Sequence, residues 1–154
     1  MSEPSTLSGT TLELISFEIA DQVFCIDIRV VREIRGWTAT TPIPQTPDFV
    51  RGVINLRGAV IPVVDLRNRL GLGLTEPSSR HVIVVVQHDD RIAGLLVDGV
   101  QETFRVDAGS LHEPPNMGSV ATDRFVDAIL PLDGRMLSRL VVGALLPRDE
   151  RLAA

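Results

Sequence analysis

A chain of 154 residues can bury roughly two-thirds of its unfolded surface as one compact unit. Its net charge of −5, its aromatic content of 4% and its lack of any Tyr argue against a nucleic-acid partner, which needs a concentrated basic face and stacking side chains. The single cysteine, Cys25, excludes an internal disulfide and fits a reducing, cytoplasmic compartment.

The N-terminal residues are polar and show no secretory pattern. Residues 1–11 read as a mobile tail and residues 148–154 as a short charged one. From Leu12 the apolar residues alternate through Leu14, Phe17 and Ile19, the period of a strand, and Ala20-Asp21-Gln22 turns the chain into Val23–Ile26. The period then changes. Asp27 can cap a helix with Ile28, Val31 and Ile34 on one face and Arg29 and Glu33 on the other, ending at Gly36. Pro42, Pro44 and Pro47 make the next segment an extended connector.

Phe49–Leu66, FVRGVINLRGAVIPVVDL, reads as a β-hairpin whose loop is Asn55-Leu56-Arg57-Gly58. Pro62 places its strand at an edge or a bulge. One helical turn from Asp65 to Leu70 stops at Gly71. Strands follow at His81–Gln87, Arg91–Val97, Val100–Val106, Phe125–Leu132 and Met136–Val142, with hairpin signals at Asp89-Asp90 and Asp133-Gly134 and a Pro-rich loop at Pro114–Gly118. A short helix begins near Ala144. Many short strands with Gly and Pro turns indicate an all-β fold of two packed small barrels, and the two halves of the chain loosely repeat each other.

No constellation for catalysis or metal binding stands out. Cys25 lies between Phe24 and Ile26 and reads as a packed core residue. His81, His88 and His112 have no ligand spacing, and no nucleophile elbow or phosphate-binding loop occurs. No cofactor is expected. The longest apolar run, Val82–Val86, is far short of the roughly 20 residues of a membrane helix, so direct membrane insertion is not expected.

The words Glu33-Ile34-Arg35-Gly36-Trp37, Ile43-Pro44-Gln45-Thr46-Pro47, Gly52-Val53-Ile54-Asn55-Leu56-Arg57-Gly58, Ile61-Pro62-Val63-Val64-Asp65-Leu66-Arg67 and Gly94-Leu95-Leu96-Val97-Asp98-Gly99-Val100 resemble those of the CheW-like family of chemotaxis coupling proteins. The resemblance runs from about residue 12 to residue 146. It implies two packed five-stranded SH3-like β-barrels with a few short helices, forming one domain over residues 12–147. It also implies a non-catalytic adaptor that joins the cytoplasmic tip of methyl-accepting chemoreceptors to the regulatory domain of the histidine kinase CheA, at receptor arrays on the inner face of the membrane.

By motif position, Ile28, Val31, Glu33, Ile34 and Val97 would bind the receptor. Gly52, Asn55, Leu56, Arg57, Gly58, Pro115 and Met117 would bind the kinase. A guanidinium in a hairpin turn often ties loop carbonyls together, so Arg57 is also expected to be structural. Met136-Leu137-Ser138-Arg139-Leu140 departs from the family pattern by its polar Ser138 and Arg139, so one side of that strand must face solvent or a partner. An alternative keeps the fold and places the adaptor in a chemosensory pathway governing surface motility or gene expression. A small-barrel hydrolase is the competing reading from another class.

Overall fold

The computed structural model describes residues 10–114 and 124–147. Residues 1–9 and 148–154, which make up most of the expected tails, and Pro115 and Met117 lie outside the described residues. Among the described residues ten strands form two five-stranded sheets. The first contains β1 (Thr11–Ile19), β2 (Gln22–Asp27), β8 (Gly99–Asp107), β9 (Val126–Leu132) and β10 (Arg135–Leu140), in the order β8-β1-β2-β10-β9. The second contains β3 (Val31–Gly36), β4 (Val50–Leu56), β5 (Ala59–Asp65), β6 (Val82–His88) and β7 (Arg91–Val97), in the order β3-β6-β7-β5-β4.

Each sheet closes on itself by one bridge made just after an edge strand. Thr41, past β3, pairs with Val53 on β4, and His112, past β8, pairs with Ile129 on β9. Closure removes exposed edges and gives two small SH3-like barrels, as the sequence indicates. The barrels are not the two halves of the chain, however. The second is contiguous, inserted between β2 and β8 of the first.

The repeat inside the barrels is closer than the sequence suggests. Phe49 matches Phe125, Val53 matches Ile129, Gly58 matches Gly134 and Leu66 matches Val142, without a gap. The Asp65 amide donates to the Phe49 carbonyl at 2.7 Å, and the matching Val141 amide donates to Phe125 at 2.8 Å. One-turn helices begin at the next residue in each copy: α1 (Leu66–Arg69) and α2 (Val142–Leu145).

Each barrel has its own interior. Ile54, Ile61, Val63, Ile83, Val85 and Leu96 fill the second, while Leu14, Cys25, Leu130 and Leu137 fill the first. The largest cluster lies between them, where Phe17, Phe24 and Ile26 of the first barrel meet Val64, Val84 and Leu95 of the second. Burial of this shared core drives the association of the two barrels.

The segment after β2 corrects the expected helix. Asp27 does cap, accepting from the Arg29 amide, but only a 3-10 turn, Ile28–Val30, forms. Val31–Gly36 is strand β3, paired antiparallel with β6. Ile28, Val30, Val31 and Ile34 are β-branched, which disfavours helix and favours a strand once a partner edge is present. A bulge between Val31 and Glu33 adds one residue, so Val31 and Ile34, opposite Val86 and Val84 of β6, lie on the same face.

Pro62 likewise departs from expectation, because β5 is an inner strand between β7 and β4. Val53, opposite Pro62, exchanges both of its backbone bonds with Thr41 at 2.9 Å. The Pro62 nitrogen therefore faces β7, and the parallel β5–β7 ladder starts only at Val63. The hairpin loop is also tighter than the four residues expected. Arg57 (φ 54°) and Gly58 (φ 88°) form a two-residue turn with both φ positive, whose twist matches the strands.

Of the polar pair on β10, Arg139 reaches across to β9. Arg139 reaches Asp127 with two bonds of 2.9 and 3.2 Å, while Leu137 and Leu140 are buried. A bidentate ion pair thus accounts for the departure at Arg139.

Candidate interaction site

β3 alternates in exposure. Val31, Glu33 and Arg35 are half-buried, and Arg32 and Ile34 are exposed, Ile34 to 46%. Ile28 and Val31 pack partly against the inter-barrel core, as do Val82 and Val100. An apolar strip therefore runs along the barrel junction from the 3-10 turn into β3. Val82, opposite Gly36 at the end of β3, flanks it, and its sequence signal was only that of an ordinary strand residue. Val97 does not line the strip as a surface residue. It is 1% exposed within the shared core and supports the strip from behind.

Glu33 is the electrostatic centre of the other face of β3. Its Oε2 accepts from Arg35 at 3.1 Å, and its Oε1 pairs with Arg57 at 2.6 Å. Arg57 therefore binds a carboxylate on the neighbouring strand instead of loop carbonyls, and it stays 75% exposed. Its left-handed backbone in the turn aims the side chain at β3 and away from its own loop.

The guanidinium of Arg35, and after it that of Arg57, holds the Glu33 carboxyl below its usual value of 4.5. A depressed carboxyl supplies its stabilisation above its unfolded value and loses it as pH falls through the folded one. The Arg57–Glu33 link is thus expected to persist from neutrality down to 4.5 and to break only in more acid solution. The Arg57 side-chain signals in an NMR titration should stay fixed over that interval.

The hairpin residues have distinct roles. Asn55 Oδ1 accepts from the Gly58 amide at 3.0 Å and stiffens the turn. Leu56 packs on the interior of the second barrel. Asn55, Arg57 and Gly58 are exposed, so the tip is open to a partner. Gly52 is buried and takes φ 146°, and a β-carbon there would fall on the Thr41 carbonyl. Its role is to admit the closing bridge, and it offers no surface.

Beneath the hairpin lies a polar network that the sequence did not reveal. Asp65 is fully buried. It accepts from Arg51 at 3.1 Å, from the Thr75 amide at 2.9 Å, from the Thr75 hydroxyl at 2.7 Å and from the Asn68 amide at 3.3 Å. Arg51 also donates to the Thr75 carbonyl at 3.0 Å. The foot of β4, the cap of α1 and the loop to Thr75 are thereby tied together.

Cys25 is buried in the first barrel, and burial pushes its thiol up to about 12. It carries no thiolate at neutral pH and cannot serve as a nucleophile. It should resist alkylation in the native protein and react only after denaturation, as a mass-shift assay would show. Among the described residues no cluster of His, Cys, Asp and Glu could hold a metal, and no helix is long and apolar enough to cross a membrane.

The family model described as CheW-like domain matches residues 13–150. The chain is 46% identical to Chemotaxis protein CheW of Rhizobium meliloti (strain 1021), with 92% of each chain covered. It is 32% identical to Chemotaxis protein CheW of Klebsiella aerogenes, covering 95% of this chain and 89% of that one. Its structure is similar to that of the scaffolding protein TtCheW from Thermoanaerobacter tengcongensis, with a TM-score of 0.81, 33% identity and 92% of each chain covered.

Proposed function

The chain belongs to the CheW-like domain family, with 13–150 matched, and from that premise we propose that it is a non-catalytic adaptor coupling chemoreceptors to the kinase CheA. Residues 12–147 act as one domain in this reading. The receptor's cytoplasmic tip, a helical hairpin, lays an apolar face along Ile28, Val31 and Ile34 at the barrel junction, with Glu33 beside it. The kinase's regulatory domain meets the hairpin tip at Asn55, Arg57 and Gly58, and the loop holding Pro115 and Met117 forms a second kinase contact.

The observation that carries this reading is the 2.6 Å pair between Arg57 and Glu33. It joins the strand assigned to the receptor to the hairpin assigned to the kinase. Receptor binding that displaced Glu33 would release the guanidinium at the kinase contact, so the two partners would bias one shared element. No proton transfer or bound group enters the mechanism.

Glu33→Lys tests it. The substitution places a like charge before Arg35 and Arg57, on a side chain that is not part of either barrel's interior. Capture by immobilised receptor fragments should fall sharply while the thermal transition stays cooperative. Kinase capture should weaken as well, because Arg57 loses its carboxylate. Undiminished receptor capture would refute the assignment.

A further inference from the structure

The segment that follows β10 of the first barrel is held by side chains of the second. Arg69, which ends α1, donates from Nε to the Leu145 carbonyl at 3.2 Å and from Nη2 to the Ala144 carbonyl at 3.0 Å. Arg91, at the start of β7, donates to the Gly143 carbonyl at 3.2 Å and to the Pro147 carbonyl at 3.4 Å. The last carbonyls of a helix have no intrahelical partner, and at α2 two guanidinium groups from the other barrel take that place. His88, which ends β6, fits against the helix at Gly143, where a β-carbon would lie 2.6 Å from the imidazole.

The face of Arg69 also touches both barrels. Its guanidinium carbon lies 3.9 Å from the centroid of the Phe49 ring and 4.8 Å from that of Phe125, both within cation–π range. Phe49 and Phe125 are matched positions of the internal repeat, and so are Arg69 and Leu145. Equivalent points of the two barrels therefore meet at this one side chain.

The shared core holds the barrels together, but hydrophobic burial is non-directional and leaves their angle to groups of fixed geometry. We propose that Arg69, seconded by Arg91, is the positioning residue that sets the angle between the barrels and thereby the form of the apolar strip at their junction. A planar fork bonded to two carbonyls and laid on two rings admits one arrangement of α1 against α2. The strip depends on that arrangement because it crosses from the turn after β2, in the first barrel, to β3 in the second. Its use by a receptor rests on the adaptor reading, whereas the angle does not.

Pulsed electron resonance between two nitroxide labels tests it. Val60→Cys and Met136→Cys are matched exposed positions, one on each barrel, and buried Cys25 stays unlabelled. With Arg69 in place the labels should give one narrow distance. Arg69→Leu keeps apolar contact with the rings but loses the donors, so the distance should broaden or shift. Arg69→Lys keeps the charge without the fork and should behave as Arg69→Leu does. Val84→Ala thins the shared core and leaves the donors in place, so it should lose stability and keep the narrow distance. Immobilised receptor fragments should capture Arg69→Leu several-fold less well than the parent chain. An unchanged distance in Arg69→Leu, or equal broadening in Val84→Ala, would overturn the proposal. Full receptor capture by an Arg69→Leu chain with a broadened distance would overturn the link from angle to strip. A parent chain that captures no receptor would refute the adaptor reading instead, and the distances would still decide the angle.

Discussion

Replacing Asp65 with alanine is expected to destabilise the protein by about 3–5 kcal/mol, because it strands partners that are themselves withdrawn from water. The Arg51 side chain is only 26% exposed, and without the carboxylate it would keep just its bond to the Thr75 carbonyl. The Thr75 amide and hydroxyl and the Asn68 amide lose their acceptor at the same time. Since α1 is a single turn capped by Asp65, the helix start loosens with the network.

The double variant Asp65→Ala with Arg51→Met removes the unpaired charge and should recover part of the loss, the recovered fraction measuring the coupling between the two residues. Urea unfolding of the four proteins of this cycle gives the answer. Equal stability of wild type and Asp65→Ala would mean that the network contributes nothing.

Gly52→Ala should cost about 3 kcal/mol or more, from left-handed backbone strain together with overpacking. For a chain of this size that is a fall of about 6–12 °C in the thermal midpoint. The added methyl would meet the backbone of Thr41, and backbone at a closing bridge cannot swing aside as a side chain can. Gly58→Ala is the control. Its φ is also positive, at 88°, yet open space surrounds it, so only the strain applies and the loss should be about 1 kcal/mol. If the two variants were equally stable, closure of the second barrel would not depend on Gly52.

The hairpins were legible because their turn residues are local signals: Asp133-Gly134 stands between two apolar runs, and Asn55–Gly58 between runs rich in Val and Ile. Cys25 was legible for a similar reason, flanked by Phe24 and Ile26 in a strand. The stretch Ile28–Gly36 was misread because apolar residues three apart satisfy a helix period over so short a span, and only the edge of β6 decides for a strand. Val97 was placed at a surface because its motif says nothing about depth; the shared core between the barrels buries it.

The Asp65 network joins residues 10 and 14 positions apart, a spacing that no helix or strand period marks. The Glu33–Arg57 pair was hidden in the same way. Each residue was visible as a candidate, for different partners, and only the fold shows that they touch.

The central claim is tested most directly by sedimenting the purified protein with the kinase, with and without receptor cytoplasmic fragments, while kinase activity is followed. The adaptor account predicts a ternary complex in which activity responds to receptor only when this chain is present. Kinase that answers to receptor equally well in its absence, or a chain that binds neither partner, would contradict the account.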